Sequence, residues 1–135
     1  MSNHRAFQLY AHITWHTWNR VGCLDEAAVV DLKSAVASAC KKCAVHLLRG
    51  AVLANHVHLV ISFQPETRLR EFVRLAKSVA ATRVNRRVFG AVRWARGYSA
   101  VTLHRKDLKR VIKYVAEQFQ RHPESVPRSS RLGIS

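Results

Sequence analysis

The sequence is short of the residues that usually staple or interrupt a chain, with 3 cysteines, 3 prolines and 5 glycines in 135 residues. Cys23, Cys40 and Cys43 are too few, and odd in number, for a disulfide scaffold; unpaired thiols suit a reducing compartment. So little Pro and Gly excludes collagen-like and low-complexity classes, and no phosphate-cradling Gly-rich loop occurs, so no ATP is expected as a cofactor. There is no run of about 18 uncharged apolar residues, and Met1 to Arg5 leads into no signal-peptide core. A lipidation signal and a basic amphipathic anchor are missing too. The expectation is a soluble, cytoplasmic protein with no membrane partner. Scarcest of all is negative charge, with 8 Asp and Glu against 23 Lys and Arg, a net charge of +15. That excess calls for an anionic partner, and nucleic acid fits it best. A 48% apolar content puts the charge on a folded body. At roughly 100–200 residues per domain, the length excludes a second catalytic domain.

Partial alternation from Phe7 to Trp18 predicts a first strand, with Phe7, Leu9, Ile13 and Trp15 as its bulky residues. Val29, Leu32, Val36, Cys40 and Cys43 recur at helical spacing over Asp25 to Lys42, with acids near the start and lysines near the end, as the helix dipole favours. Val45 to Leu53 and His56 to Phe63 read as two strands of a hairpin turning at Ala54-Asn55. Leu69 to Arg87 carries a second amphipathic stripe, Gly90 to Thr102 a fourth strand around Trp94, Tyr98 and Val101, and Leu108 to Phe119 a third helix. Residues 1–122 then form one domain, followed by a polar, mobile tail at 123–135. The order β-α-β-β-α-β plus one helix predicts an α+β fold, a ferredoxin-like antiparallel sheet with an additional C-terminal helix that carries Tyr114.

Along the strand at His56, side chains alternate, so Val57, Leu59, Ile61 and Phe63 share one face and His56, His58, Val60 and Ser62 the other. Two imidazoles at i and i+2 stand close enough to share a metal ion, although the spacing alone also describes two exposed histidines. On the third helix Tyr114 and Gln118 are four residues apart, beside the stripe of Leu108, Val111, Val115 and Phe119. Laying that stripe on the sheet's second face brings them against His56 and His58. The plainer reading is a boundary tyrosine packing its ring on the sheet with Gln118 in water. Cys40, Cys43 and His46 have the spacing of half a zinc site, but both cysteines fall on an apolar stripe and read as core thiols. His12 and His16 share a strand face, and either border the site, touch DNA or serve structure.

These residues resemble the single-tyrosine transposases of the IS200/IS605 type, including transposase-like proteins associated with repetitive extragenic palindromes. The likeness rests on His56-Val57-His58 within Leu53 to Val60, on Val111 to Gln118 around Tyr114, on Tyr10 to Trp15 and on Trp94 to Tyr98. It implies cleavage and rejoining of single-stranded DNA near hairpins through a 5′-phosphotyrosine. His56, His58 and Gln118 would ligate a divalent metal, Mg²⁺ or Mn²⁺, and Tyr114 would be the nucleophile. It also implies a homodimer and a nucleoid-associated, prokaryotic setting. Between Arg68 and Arg96 lie nine basic residues, Arg68, Arg70, Arg74, Lys77, Arg83, Arg86, Arg87, Arg93 and Arg96, and one acid, Glu71. That bias favours phosphate contact and reads as a track leading a DNA strand to Tyr114. The alternative is a non-catalytic nucleic-acid-binding module on the same sheet, with Tyr114 structural.

Overall fold

A computed structural model describes residues 9–129. In chain order it contains β1 (Leu9–His16), α1 (Glu26–Cys43), β2 (His46–Val52), β3 (His56–Phe63), α2 (Leu69–Arg87), β4 (Ser99–Leu103), α3 (Arg105–Ala116) and the short α4 (Gln118–Arg121). The four strands form one antiparallel sheet in the order β2-β3-β1-β4. This is the expected ferredoxin-like arrangement.

Each strand's two-residue period splits the sheet into two apolar faces. Ala11, Ile13 and Trp15 of β1 and Val57, Leu59 and Ile61 of β3 are buried together with Leu32, Ala35, Val36 and Ala39 of α1 and Phe72, Val73, Ala76 and Ala80 of α2. The alanines let both helices lie close to the sheet and to each other. Asp25 starts α1 by accepting from the Ala28 amide at 2.9 Å, and Ala44 ends it in the left-handed region at φ 55°. On the opposite face Val60, Ala51 and Leu53 meet Val111 and Val115 of α3. Burying each such aliphatic side chain contributes about 1.5–3 kcal/mol, so this second core, small as it is, fixes α3 across the sheet.

Three elements end elsewhere than their periodicity suggests. β1 stops at His16, because Thr17 donates its hydroxyl to Val21 O at 2.7 Å and Asn19 and Arg20 take positive φ. Trp18 is thereby thrown outward, with the Arg93 guanidinium 4.2 Å from its ring centre. β4 begins only at Ser99. Trp94, assigned to that strand by pattern, instead packs edge-on against Trp15 at 6.1 Å and donates its indole N–H to Lys77 O. The third helix breaks at Glu117, so Gln118 opens α4 rather than continuing the turn of Tyr114. Phe7 and residues 130–135 lie outside the described residues. The first part of the expected mobile tail is docked: Ser125 O accepts from Ala54 N at 2.6 Å and Arg128 O from Glu26 N at 2.9 Å. These are backbone donors that would otherwise lack an acceptor.

Candidate functional site

The turn before β3 sets the first histidine. Asn55 O accepts from Thr17 N at 2.9 Å, anchoring the turn to the end of β1. Its side-chain Oδ1 then lies 2.6 Å from His56 Nδ1. An amide oxygen can only accept, so His56 carries its proton on Nδ1 and its Nε2 lone pair is free. His58 follows two residues on, its ring 4.9 Å from that of His56. Its Nδ1 lies 2.9 Å from Nε2 of His12, and the two rings stack at 5.2 Å. If His58 donates in this pair, its own Nε2 is free as well. Both histidines of β3 are thus held through Nδ1, His56 by Asn55 and His58 by His12, and an outer contact of this kind is typical of metal-ligating imidazoles.

α3 and α4 complete the site from above. The Tyr114 ring lies 6.0 Å from that of His58 and 6.1 Å from that of His12, edge-on to both. Gln118, 1% exposed, donates Nε2 to Tyr114 O at 3.2 Å. The Gln118 side chain favours the protonated forms of His56 and His58, a pull that burial outweighs. The break at Glu117 is what turns Gln118 inward while Tyr114 stays partly exposed. His122 adds a further imidazole 5.8 Å from His56.

Burial and crowding hold the rings of His12, His56 and His58 neutral. His58 is pushed down to about 3, chiefly by burial and then by the charges of His56, His12 and His122. His56 and His12 are lowered for the same first reason. Neutral imidazoles keep the lone pairs that a cation needs. Two nitrogens and one amide oxygen fit Mg²⁺ or Mn²⁺, with imidazole leaning toward Mn²⁺. Among the described residues no group of three His, Cys, Asp or Glu could hold a metal ion, so a third protein donor here would be Gln118. Cys40 and Cys43 pack at the edge of the main core, and burial raises the Cys40 thiol.

A cavity of about 600 Å³ opens beside Tyr114, lined by His12, Arg110, Lys113, Glu117 and Arg121 among others. The Arg121 guanidinium sits 4.9 Å from the Tyr114 ring centre. Arg110, Lys113 and Arg121 were missed by sequence reasoning, though Arg110, four residues before Tyr114, shares its face of α3. Asn55 and His122 were missed too, and His12 was left undecided.

The basic segment sits elsewhere. Arg68, Arg70, Arg74, Lys77, Arg83, Arg86 and Arg87 belong to α2 and its cap, in the helical layer on the opposite face of the sheet from α3. The structure does not bring them to Tyr114 as one track. Several already have partners: Arg87 pairs with Asp31, Arg74 with Glu71, Arg83 with the Ser34 hydroxyl, and Lys77 with the Ala95 and Gly97 carbonyls. Arg93 lies over Trp18. Arg68, Arg70, Arg86 and Arg96 make no side-chain hydrogen bond or ion pair among the described residues.

With this geometry in place, comparison with known proteins is informative. The family described as IS200-like transposases matches residues 5–118. ISDra2 transposase TnpA of Deinococcus radiodurans is 22% identical over 122 residues, covering 85% of this chain and 87% of the relative. Two solved structures share the fold. A REP-associated tyrosine transposase bound to a REP hairpin superposes with TM-score 0.73 at 16% identity, over 90% of this chain and 74% of that one. A crystallised transposase candidate from Deinococcus radiodurans gives 0.66 at 20% identity, over 87% and 96%. Fold and family match together define a transposase of the single-tyrosine class. The chain belongs to the IS200-like transposase family. Among the described residues no helix is long and apolar enough to cross a membrane.

Proposed function

We propose that this transposase cleaves and rejoins single-stranded DNA beside hairpins, with Tyr114 as nucleophile and His56, His58 and Gln118 as ligands of a divalent metal. The observation that carries the reading is the seating of Tyr114 and Gln118 against β3: the tyrosine ring lies 6.0 Å from that of His58, and the buried Gln118 amide bonds the Tyr114 carbonyl.

A phosphodiester resists attack because its own charge repels a nucleophile. Mg²⁺ or Mn²⁺ on His56 Nε2, His58 Nε2 and the Gln118 oxygen would withdraw charge from the non-bridging oxygens. Arg110, Lys113 and Arg121, around the cavity beside the tyrosine, supply further positive charge for the strand. Tyr114 Oη loses its proton to solvent and forms a bond to phosphorus as the P–O3′ bond breaks. The departing O3′ takes up a proton and becomes a free hydroxyl. The 5′-phosphotyrosine keeps the ester's energy, so a 3′-hydroxyl can attack it and restore Tyr114 without ATP. Hairpin DNA is the substrate class favoured by the structural neighbour bound to a REP hairpin. A homodimer is supported by the outer edge of β4, where Ser99 to Thr102 are exposed on an edge strand. A DNA substrate would place the protein at the nucleoid.

The test is a panel of hairpin DNAs with single-stranded flanks, incubated with the protein and Mn²⁺ and run on a denaturing gel. A covalent protein–DNA band is expected. Tyr114→Phe must abolish it while retaining binding; a band that persists in the variant refutes the assignment.

A further inference from the structure

A second concavity lies across the sheet from Tyr114, in a groove of about 420 Å³ between α2 and the chain from Trp94 to Tyr98. That volume falls within the usual range for small-ligand sites. The sheet separates α2 from α3, so this groove is not an extension of the cavity beside the tyrosine.

Its construction is reciprocal. The Trp94 indole donates to Lys77 O at 2.9 Å, while the Lys77 ammonium donates to Ala95 O at 2.9 Å and Gly97 O at 3.0 Å. Gly97, at φ 79°, lets the chain turn there. These bonds hold the segment against α2 and occupy Lys77, so this lysine shapes the groove instead of reaching for a ligand. What remains to meet a ligand is of two kinds. Trp94 and the half-exposed Tyr98 offer aromatic surface, and buried Val73 and partly buried Ala81 of α2 share the lining with them. Arg70 and Arg74 stand exposed on the same lining. Arg70 makes no hydrogen bond among the described residues and only shares the charge of Glu71 at a distance, while Arg74 is bonded to Glu71 directly. Aromatic surface, an apolar base and an available guanidinium together suit a flat heterocycle that carries a phosphate.

We propose that this groove binds one unpaired nucleotide of a DNA strand, its base against Tyr98 and Trp94 and its phosphate at Arg70, at a site separate from the one where Tyr114 acts. The inference rests on the reading that the protein handles single-stranded DNA. It gives part of the basic α2 segment a task that does not require it to reach the tyrosine.

The experiment uses the full chain in EDTA, so that no cleavage intervenes. Fluorescence anisotropy measures binding of a labelled dT12 strand and of a blunt 12-base-pair duplex across a salt series. Tyr98→Ala should weaken dT12 binding about tenfold, with little change for the duplex and an unchanged salt slope, because stacking is not electrostatic. Tyr98→Phe should restore it. Arg70→Ala should lower the salt slope by about 0.7, the loss of one phosphate contact on a single strand. Ser78→Leu, an exposed change on the groove's lining, should mimic Tyr98→Ala and so guards against an effect of folding. In a strand with one 5-iodo-deoxyuridine, cross-linking should mark the peptide that contains Trp94 and Tyr98. Tight dT12 binding that Tyr98→Ala and Ser78→Leu leave unchanged overturns the pocket alone. Equal losses on strand and duplex also overturn it, leaving a non-selective basic surface. Failure of the unaltered protein to bind dT12 at all overturns the single-strand reading and the pocket with it.

Discussion

Lowering the pH from 7.5 to 5 in the presence of a chelator should destabilise the fold, and His58 sets the minimum size of the effect. Its side chain is 7% exposed and titrates at about 3, because burial and the neighbouring imidazoles oppose its charge. In the unfolded chain it returns to about 6.5. Between these values the unfolded state binds more protons than the folded one, so stability rises with pH across the window. The contribution is fully present above about 6.5 and is lost progressively as the pH falls. At pH 5 the unfolded state has gained about 1.5 pH units of protonation free energy, which at about 1.36 kcal/mol per unit is about 2 kcal/mol from this residue alone. His12 and His56, both lowered, act in the same direction. Urea unfolding followed by circular dichroism reads the change directly: at a slope of about 2 kcal/mol/M the midpoint should drop by about 1 M. In His58→Asn the drop should shrink by most of that amount. An equal midpoint at pH 7.5 and pH 5, or an undiminished drop in the variant, would refute the burial and crowding assigned to this ring.

Other outcomes follow from the same contacts. Asn55→Ala removes the acceptor that fixes the His56 tautomer, so titration calorimetry with MnCl₂ should show about 10- to 100-fold weaker binding, with the fold intact. Ile61→Ala empties a fully buried position between the sheet and its helices and should cost about 2–5 kcal/mol in denaturant unfolding. Lys77→Met frees the carbonyls of Ala95 and Gly97, and limited trypsin digestion should then cut after Arg96 faster than in the unaltered chain. Arg87→Ala breaks a partly exposed pair with Asp31 and should change stability by less than about 1 kcal/mol.

How much of this could be seen in the residues depended on the range of the interaction. The two faces of β3 follow from a period of two, and the burial of Val57, Leu59 and Ile61 on one side and Val60 on the other matches it. The pairing of Tyr114 with Gln118 was legible as a four-residue interval. The break at Glu117, which turns the amide toward the histidines, has no proline or glycine to announce it. His12 was illegible as a partner of His58, since 46 residues separate them and only the β1–β3 register sets them side by side. The basic excess of α2 was plain, but its direction was not. Phe72, Val73, Ala76, Ala80 and Val84 bind that helix to the core shared with α1, and its charges go with it, away from α3.

The docked segment after α4 has a consequence for how the molecule is made. Ala54 sits in the turn that presents His56, and its amide finds its acceptor in Ser125; Glu26, at the head of α1, waits for Arg128. Until those late residues leave the ribosome, the histidine turn of a growing chain has an unanswered donor, and neither Tyr114 nor Gln118 is yet in place above it. The sheet and its two helices can assemble during synthesis, but Tyr114 and Gln118 can close over the β3 histidines only after α3, α4 and the docked segment have emerged, so a chain stalled before them should be folded in part and lack the assembled site.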